Sequence, residues 1–599
     1  MIKQLFQLLT PEQRKRFYGL QVLVILMAVM ELFGIASIGP FMALVAEPKL
    51  IETNHTIATI YQFSGLQSTN QFLFATGLGV LVALGMASAI SIITTWRLSL
   101  FAMQTGTEIS DRLYTHYLNQ DWLFHASGSS AQLTKQVTTE SSRVTHSILQ
   151  PLMQLNARLV LAILIGTSIL LYSPVIAITG LAIFISGYVI IYRLVKNRLL
   201  INGERLSETS TLRFRLMNEG FGGIRDILLL NRTQDFIDQF NESGKTQARA
   251  QAVNNTLSQT PRYFMELIAF GAMIGLVLVL LKMHDGVLSQ VLPVLAVYAL
   301  AGFKLLPALQ QIYGSITTIK GNASAFEAIK PDLIASQNQT HPQPKQAHEN
   351  SKLNTHDYTA ICLQGISFTY PNASKPALDD INLTIPLNTT VGFVGESGSG
   401  KSTAIDLILG LIKPGKGELK LDNTPITEEN KQAWQANIGF VPQSIFLSEG
   451  SIAENIAFGI KKSEINLEQV KQALKLAHLE ELVNSLADGL NTKVGERGVK
   501  LSGGQRQRIG IARALYNNAS VLVFDEATSA LDGITEKIIM DAIHELSGQR
   551  TIILIAHRLK TVKPCSHIFL MEKGKLVDQG SYPELVEKNS KFQKMAQFA

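Results

Sequence analysis

Charge and cysteine are both scarce in this chain. Only 17% of its 599 residues are Asp, Glu, Lys or Arg, against about a quarter in ordinary soluble domains. Mean hydropathy is +0.17. So little charge over such a length argues against a wholly soluble protein and for one that spends part of its chain in lipid. The two cysteines, Cys362 and Cys565, share no metal-ligand spacing. That excludes a cysteine zinc site and a disulfide framework, and leaves two reduced thiols in a cytosolic domain as the expectation. A cleavable leader is not expected either. The first apolar run is far longer than a signal-peptide core and lacks a small-residue cleavage site before a polar stretch. The length exceeds one ordinary core, so two or more domains are expected.

Long apolar runs fill the first half, at about 18–46, 72–96, 155–173, 174–195, 263–281 and 289–312. Each is near the roughly 20 residues that carry a helix across a bilayer core. Only Tyr172-Ser173-Pro174 separates the third from the fourth, which predicts a tight hairpin. Basic residues set the orientation. Arg14, Lys15 and Arg16 precede the first run, and Lys196, Arg198, Arg205, Arg213, Arg215, Arg225, Arg232, Lys245 and Arg249 follow the fourth. The other side offers little beyond Lys49 and Lys282. The N-terminus and both long loops are therefore expected in the cytoplasm, in a multi-pass protein of the inner (plasma) membrane. This accounts for the net charge of +6 without nucleic acid as a partner.

Those loops, about 97–154 and 196–262, lack proline until Pro151 and Pro261. They are too long to be structureless and read as helical extensions into the cytosol, turning near Trp122–Gly128 and Met217–Asp226. Segment 331–357 is polar and turn-rich, which suits a linker. It separates an expected membrane domain, 1–330, from an expected ATPase domain, 358–599. In the latter, short apolar strands such as Thr390–Val394 and Val521–Phe524 alternate with helical stretches, an α/β pattern.

The stretch Gly395-Glu396-Ser397-Gly398-Ser399-Gly400-Lys401-Ser402-Thr403 fits the phosphate-loop pattern G-x-x-x-x-G-K-[ST]. It follows an apolar strand and opens an apolar helix (Ala404–Leu411), the context the motif requires. Its glycines let backbone N–H groups close around phosphate oxygens at a helix N-terminus. Lys401 is expected to reach the β- and γ-phosphates of ATP, and Ser402 to ligate Mg²⁺. A second apolar strand ends in Asp525-Glu526, at the edge where α/β sheets place ligands. Asp525 suits Mg²⁺, and Glu526 suits the general base that polarises the attacking water.

Between these motifs lies Leu501-Ser502-Gly503-Gly504-Gln505-Arg506-Gln507-Arg508. With it the chain resembles the ABC transporters, whose signature sequence this is. Tyr370 ahead of the phosphate loop, Gln443 in Val441-Pro-Gln, Ser529-Ala-Leu-Asp532, and His557 in Ala556-His-Arg558 agree in order across 360–580. The resemblance implies that Tyr370 stacks on adenine, that Gln443 senses Mg²⁺, and that His557 contacts the γ-phosphate. It also implies that Ser502, Gly503, Gly504 and Gln505 close over the phosphate loop of a second subunit. One chain has one loop and one signature, so two-fold pairing builds two sites. With no motif degraded, a homodimer is expected.

Six spans ahead of the ATPase domain, with long cytosolic extensions, resemble the exporter branch, as does Thr492-Lys-Val-Gly-Glu496. The turns near Trp122 and Met217 are then coupling helices. Ionisable residues inside the spans, Glu31, Arg262, Glu266 and Lys304, are functional candidates. The bland alternative pairs Arg262 with Glu266 four residues on, and Lys304 with Glu31. Glu31-Leu-Phe-Gly-Ile-Ala-Ser, Thr260-Pro-Arg262-Tyr-Phe-Met-Glu266 and Lys304-Leu-Leu-Pro307 look like bacterial flippases of lipid-linked oligosaccharides. That likeness implies Arg262 and Lys304 as substrate contacts. It also implies a short external helix within 51–69, with Ile57, Ile60, Tyr61 and Leu66 on one face. The subgroup often has Arg where Lys304 stands, and Lys lacks the bidentate fork. Exporters of lipid A, peptides or hydrophobic drugs share most of these features.

Overall fold

The computed structural model describes residues 1–46, 48–66, 68–172, 174–283, 288–338, 357–371, 373–526, 533–556 and 558–597. The chain forms two compact units. One comprises Met1–Gln120 with Phe124–His341, the other Asp121–Leu123 with Pro342–Ala599.

The first unit is helical. Its principal helices are α1 (Pro11–Ala46), α2 (Thr69–Leu118), α3 (Gln150–Tyr172), α4 (Pro174–Gly222), α5 (Thr233–Met283) and α6 (Leu288–Gly321). Lipid offers the backbone no hydrogen bonds, so a chain that crosses it as helix satisfies every N–H and C=O internally. At 1.5 Å per residue, α2 is about 75 Å long, more than twice the ~30 Å hydrocarbon layer. The expected extensions are therefore real helix, carried by α2, α4 and α5. Among the described residues, Pro11–Val45, Thr69–Leu118, Ser130–Leu171 and Ala177–Gly222 are long and apolar enough to cross a membrane. The last two apolar runs fall within α5 and α6.

Both expected turns carry a short helix, Trp122–Ser127 and Ile224–Leu229. The second lies later than the sequence suggests. Gly223 N–H still donates to the Glu219 carbonyl at 2.8 Å, which keeps α4 intact to Gly222. The short helix expected within 51–69 is present as His55–Phe63, capped by Asn54, whose side chain accepts from the N–H groups of Thr56 and Ile57. Ile57, Tyr61 and Leu66 pack with Leu44, Ile51 and Phe72. Ile60 does not join them and is exposed, because it lies about 100° around the axis from Tyr61. The expected linker also starts too early. Helix Ala323–Asn338 runs through Pro331, and Leu333 is buried with Ile329 and Phe326, one and two turns back. The rest of that linker, 339–356, lies outside the described residues.

A buried ionic knot joins the helices that extend beyond the apolar spans. Upstream of α3 the helical path includes two π-helical turns, Gln136–Glu140 and Thr145–Leu149. Glu140, fully buried, accepts from Lys135 Nζ and Arg143 Nη1, each at 2.8 Å. Lys135 Nζ also donates to the Ser207 carbonyl (3.0 Å) and Thr211 Oγ1 (2.6 Å) on α4. Arg143 Nη1 donates to Ser207 Oγ (2.8 Å), and its Nε reaches Asn322 Oδ1 (3.4 Å) just past α6. Two cations on one carboxylate, each with neutral partners, is how a protein makes buried charge tolerable.

The second unit holds two sheets. The strands are β1 (Ala360–Phe368), β2 (Leu378–Pro386), β3 (Thr390–Val394), β4 (Lys416–Leu421), β5 (Thr424–Pro425), β6 (Ile438–Val441), β7 (Val521–Asp525), β8 (Thr551–Ile555), β9 (His567–Glu572) and β10 (Lys575–Gly580). An antiparallel sheet has the order β2-β1-β4-β5, and a six-stranded sheet the order β10-β9-β3-β8-β7-β6. In the latter every pair is parallel except β10 with β9. Parallel strands covered on both faces read as unbroken apolar runs, and β3 and β8 are buried at every position. Val391, Phe393, Val523, Ile553 and Phe569 face one core with Trp434, while Val394, Leu522, Phe524, Ile552 and Leu554 face the other. The alternation aligns the C-terminal ends of β3, β7 and β8, where the loops that bear the motifs begin.

The ionic knot yields a prediction for the helical unit. Glu140→Ala leaves Lys135 and Arg143 buried without their carboxylate and is expected to cost about 3–5 kcal/mol. Thermal unfolding of the purified protein should show this as a large fall in Tm. Replacing Lys135, Glu140 and Arg143 together by Met, Leu and Met is expected to recover most of the loss. A triple variant as unstable as Glu140→Ala contradicts the assignment.

Candidate functional site

The phosphate loop leaves β3 at Gly395 and enters α7 (Lys401–Ile408). Its shape requires glycine. Gly395, Gly398 and Gly400 have φ of +152°, +78° and +100°, a region L side chains rarely enter. A Cβ on Gly395 collides with the Met571 carbonyl and sits 2.8 Å from Ser399 Oγ, and one on Gly400 sits 2.7 Å from the Ala377 carbonyl. Glu396, Ser397, Gly398 and Ser402 face outward, while Ser399, Lys401 and Thr403 are buried. Lys401 Nζ donates to the carbonyls of Gly395 (2.8 Å) and Glu396 (3.0 Å). Burial pulls the Lys401 ammonium below the ordinary lysine range, against the opposing pull of the Glu526 and Asp525 charges. Ser399 Oγ is buried with no hydrogen-bond partner among the described residues. An orphaned hydroxyl, a glycine cradle and a cation beside two carboxylates fit a nucleotide phosphate chain.

Asp525 closes β7, and Glu526 follows in the left-handed region at φ +49°. Its N–H donates to the Ile555 carbonyl at 3.2 Å, which holds the turn against β8. Gln443, just past β6, donates from Nε2 to Glu526 Oε2 at 2.7 Å. These residues stand 83 apart in sequence, and the parallel register of β6 with β7 brings them together. Asp406 on α7 had no place in the sequence reading. Its carboxyl is pushed up to about 6, by burial first and then by the charge of Asp525. A lone acid in an apolar helix following a phosphate loop was the available signal.

Tyr370 Oη lies 3.1 Å from Thr403 Oγ1, and its ring meets the edge of Phe368 at 5.0 Å. Ser502 caps α8 (Gly503–Tyr516). Its Oγ accepts from Gln505 N–H at 3.2 Å, and Gln505 Oε1 accepts from Ser502 N–H at 2.8 Å. This capping box fixes Gly503 and Gly504 as the first helical residues. The structure thus gathers 395–403, Tyr370, Gln443, Asp525 and Glu526. No hydrogen bond or ion pair among the described residues joins Ser502–Gln505 to the phosphate loop. His557 and Ser529–Asp532 lie outside the described residues.

In the helical unit, Lys304 Nζ lies 3.6 Å from Glu31 Oε2, so the pairing alternative is realised. A third group joins them that the sequence reading passed over. Arg158 Nη1 lies 4.0 Å from Glu31 Oε1, and Ser91 Oγ donates to that oxygen at 2.8 Å. Arg158 was visible as a cation inside the run 155–173. It borders a cavity of about 110 Å³ whose polar lining is Thr95, Ser99, Gln150, Gln154 and Gln311. Arg262 pairs with Glu266 at 2.8 Å, and Gln310 Nε2 reaches the same carboxylate at 3.4 Å.

A phosphate loop on a parallel sheet, facing an acidic strand end, defines a nucleotide-binding P-loop ATPase joined to a bundle of apolar helices. Comparison with known proteins narrows the class. Residues 378–529 match the ABC transporter family, and residues 20–301 match the ABC transporter transmembrane region. The chain belongs to the ABC transporters, with the transmembrane region and the ABC ATPase domain in one polypeptide. It is 36% identical to an ATP-dependent lipid A-core flippase of Alkalilimnicola ehrlichii over 54% of each chain. It is 33% identical to the heterocyst differentiation ATP-binding protein HepA of Nostoc sp. over 63% of this chain and 60% of that one. The chain spans about half the length of the curated relatives it matches. A bacterial Atm1-family ABC exporter solved with ATP bound shares the fold, with a TM-score of 0.75 over 98% of both chains at 20% identity.

The loop geometry orders two substitutions. Gly395→Ala meets both a forbidden φ and a carbonyl, whereas Gly398→Ala has nothing within 4 Å of its Cβ. The first is expected to abolish nucleotide binding and lower Tm, and the second to cost about 1 kcal/mol of stability. Binding of a fluorescent ATP analogue and thermal unfolding check this, and equal effects contradict it.

Proposed function

We propose that this chain is one half of a homodimeric ATP-driven exporter that flips a lipid-linked oligosaccharide, a polyprenyl-pyrophosphate glycan, across the inner membrane. In this reading six spans cross the bilayer, and the N-terminus and ATPase domain lie in the cytoplasm. The division into a membrane domain that ends with the helix Ala323–Asn338, a linker, and an ATPase domain over 358–599 belongs to the same reading. Tyr370 stacks on adenine, and the backbone of Gly395–Gly400 with Lys401 and Thr403 cradles the phosphates. Ser402, Gln443 and Asp525 would hold Mg²⁺, which would supply positive charge against the phosphates. Glu526 takes the proton of the attacking water. His557 contacts the γ-phosphate, and Ser502–Gln505 of the partner subunit cover it. Trp122–Ser127 and Ile224–Leu229 serve as coupling helices.

The observation that carries the substrate reading is the Glu31 cluster. Arg158 and Lys304 bring two positive charges to one carboxylate, which leaves one positive charge in excess. Unpaired charge in hydrocarbon is prohibitive, so a span tolerates such an excess where an anion is to be met. Neutral Gln, Ser and Thr side chains beside Arg158 suit sugar hydroxyls. Arg262, tied to Glu266, contributes after that pair opens. A second reading, export of a lipid A-core glycolipid, is favoured by the name of the Alkalilimnicola relative. Both cargoes are phosphate-bearing glycolipids.

Two measurements test these roles. Glu526→Gln is expected to keep ATP binding while hydrolysis falls about 10²–10⁴-fold; turnover near wild type removes Glu526 as the base. In proteoliposomes, Lys304→Gln is expected to slow flipping of a pyrophosphate-linked oligosaccharide at least tenfold, the worth of one charge-assisted contact, with basal ATPase activity kept. Lys304→Arg is expected to flip normally. Normal flipping by a stable Lys304→Gln variant removes Lys304 from the substrate path, and transport of lipid A-core alone overturns the oligosaccharide reading.

A further inference from the structure

The phosphate loop carries a carboxylate of its own. Glu396 stands outward between Gly395 and Ser397, where the loop is to receive a highly negative nucleotide. A lysine from the far end of the chain meets it. Lys591 Nζ lies 3.1 Å from Glu396 Oε1 and 2.8 Å from Glu572 Oε1. Local structure holds Lys591 in place. It is the second residue of α9 (Ser590–Gln597), where Asn589 Oδ1 accepts from the N–H groups of Lys591 and Phe592, each at 3.0 Å. Asn589 Nδ2 in turn donates to Asp578 Oδ2 on β10 at 2.9 Å. Phe592 is fully buried and packs edge-on against Tyr582. The hairpin between β9 and β10, which carries Glu572 at its base, leans on the same loop, as Gly574 N–H donates to the Ser399 carbonyl at 3.0 Å.

Such a pair between groups 40% and 68% exposed adds little to stability. Its consequence is electrostatic and local. We propose that Lys591 is a positioning residue of the nucleotide site, cancelling the charge of Glu396 and holding it aside so that the loop accepts ATP. The inference rests on the reading of 395–403 as the ATP site. With Lys591 the trio of Lys591, Glu396 and Glu572 carries a net charge of −1, by the sum +1 −1 −1. Without it the full −2 faces the nucleotide, and Glu396 is free to swing toward the phosphates.

The test uses steady-state ATPase kinetics of the full-length protein in lipid nanodiscs at low salt, with thermal unfolding as the folding control. Lys591→Gln is expected to raise KM for ATP about three- to tenfold with kcat unchanged, and the effect should shrink at high salt. Lys591→Arg is expected to restore the wild-type KM. Glu396→Gln alone is expected to lower KM, and Glu396→Gln combined with Lys591→Gln to return it near wild type. An unchanged KM in folded Lys591→Gln overturns the proposal, as does a double variant no better than Lys591→Gln. If Lys591→Gln does not fold, an unchanged KM in Glu396→Gln overturns it equally. ATP turnover that survives Lys401→Ala at the wild-type rate overturns the reading of the loop itself, an outcome distinct from indifference to Lys591.

Discussion

A charge removed from water must be met by another charge or by a set of hydrogen bonds, and this constraint organises both units of the chain. Buried Glu140 draws Lys135 and Arg143 onto it and, through them, Ser207, Thr211 and Asn322. Three stretches of helix distant in sequence are thereby tied at one point. The first π-helical turn, Gln136–Glu140, lies between Lys135 and Arg143 and ends on Glu140. A π turn widens the helix locally and re-aims its side chains, which lets Lys135, Glu140 and Arg143 converge despite a spacing that does not fall on one ideal helical face.

The same constraint acts where the chain meets lipid and where it meets nucleotide, with different results. Around Glu31 the balance is incomplete, because two cations share one carboxylate. Around Glu140 two cations also share one carboxylate, but backbone and side-chain oxygens of α4 absorb the remaining donors. In the proposed function the first arrangement meets the cargo, whereas the second ties helices together. At the phosphate loop, Lys401 is held by loop carbonyls and faces Asp525 and Glu526. That loop is a preorganised anion site whose one outward carboxylate, Glu396, is clamped from outside.

In the proposed cycle ATP drives transport only if it binds two conformations with different affinity. Gln443 sits just past β6 and donates to Glu526, so any shift of its loop changes the hydrogen bonding of the proposed base. The left-handed backbone at Glu526 is itself pinned, by the hydrogen bond from its N–H to the Ile555 carbonyl.

Local pattern was enough for much of this protein. Apolar runs long enough to span lipid must become helices. A glycine-rich loop between an apolar strand and an apolar helix is a phosphate site whatever surrounds it, because its function resides in contiguous backbone. The acidic end of β7 and the cap at Ser502 were legible for the same reason. What depended on residues far apart in sequence was not. The meeting of Gln443 with Glu526 is decided by strand order, and the partnership of Lys591 with Glu396 by where the last helix lands on the sheet. The arrival of Arg158 at Glu31 follows from how α3 packs beside α1. Ile60, apolar and one residue from the buried face, was misjudged because a short helix gives too few turns to fix its orientation. Sequence spacing determines which chemistry a segment can perform, whereas only three-dimensional packing determines which distant charges neutralise one another.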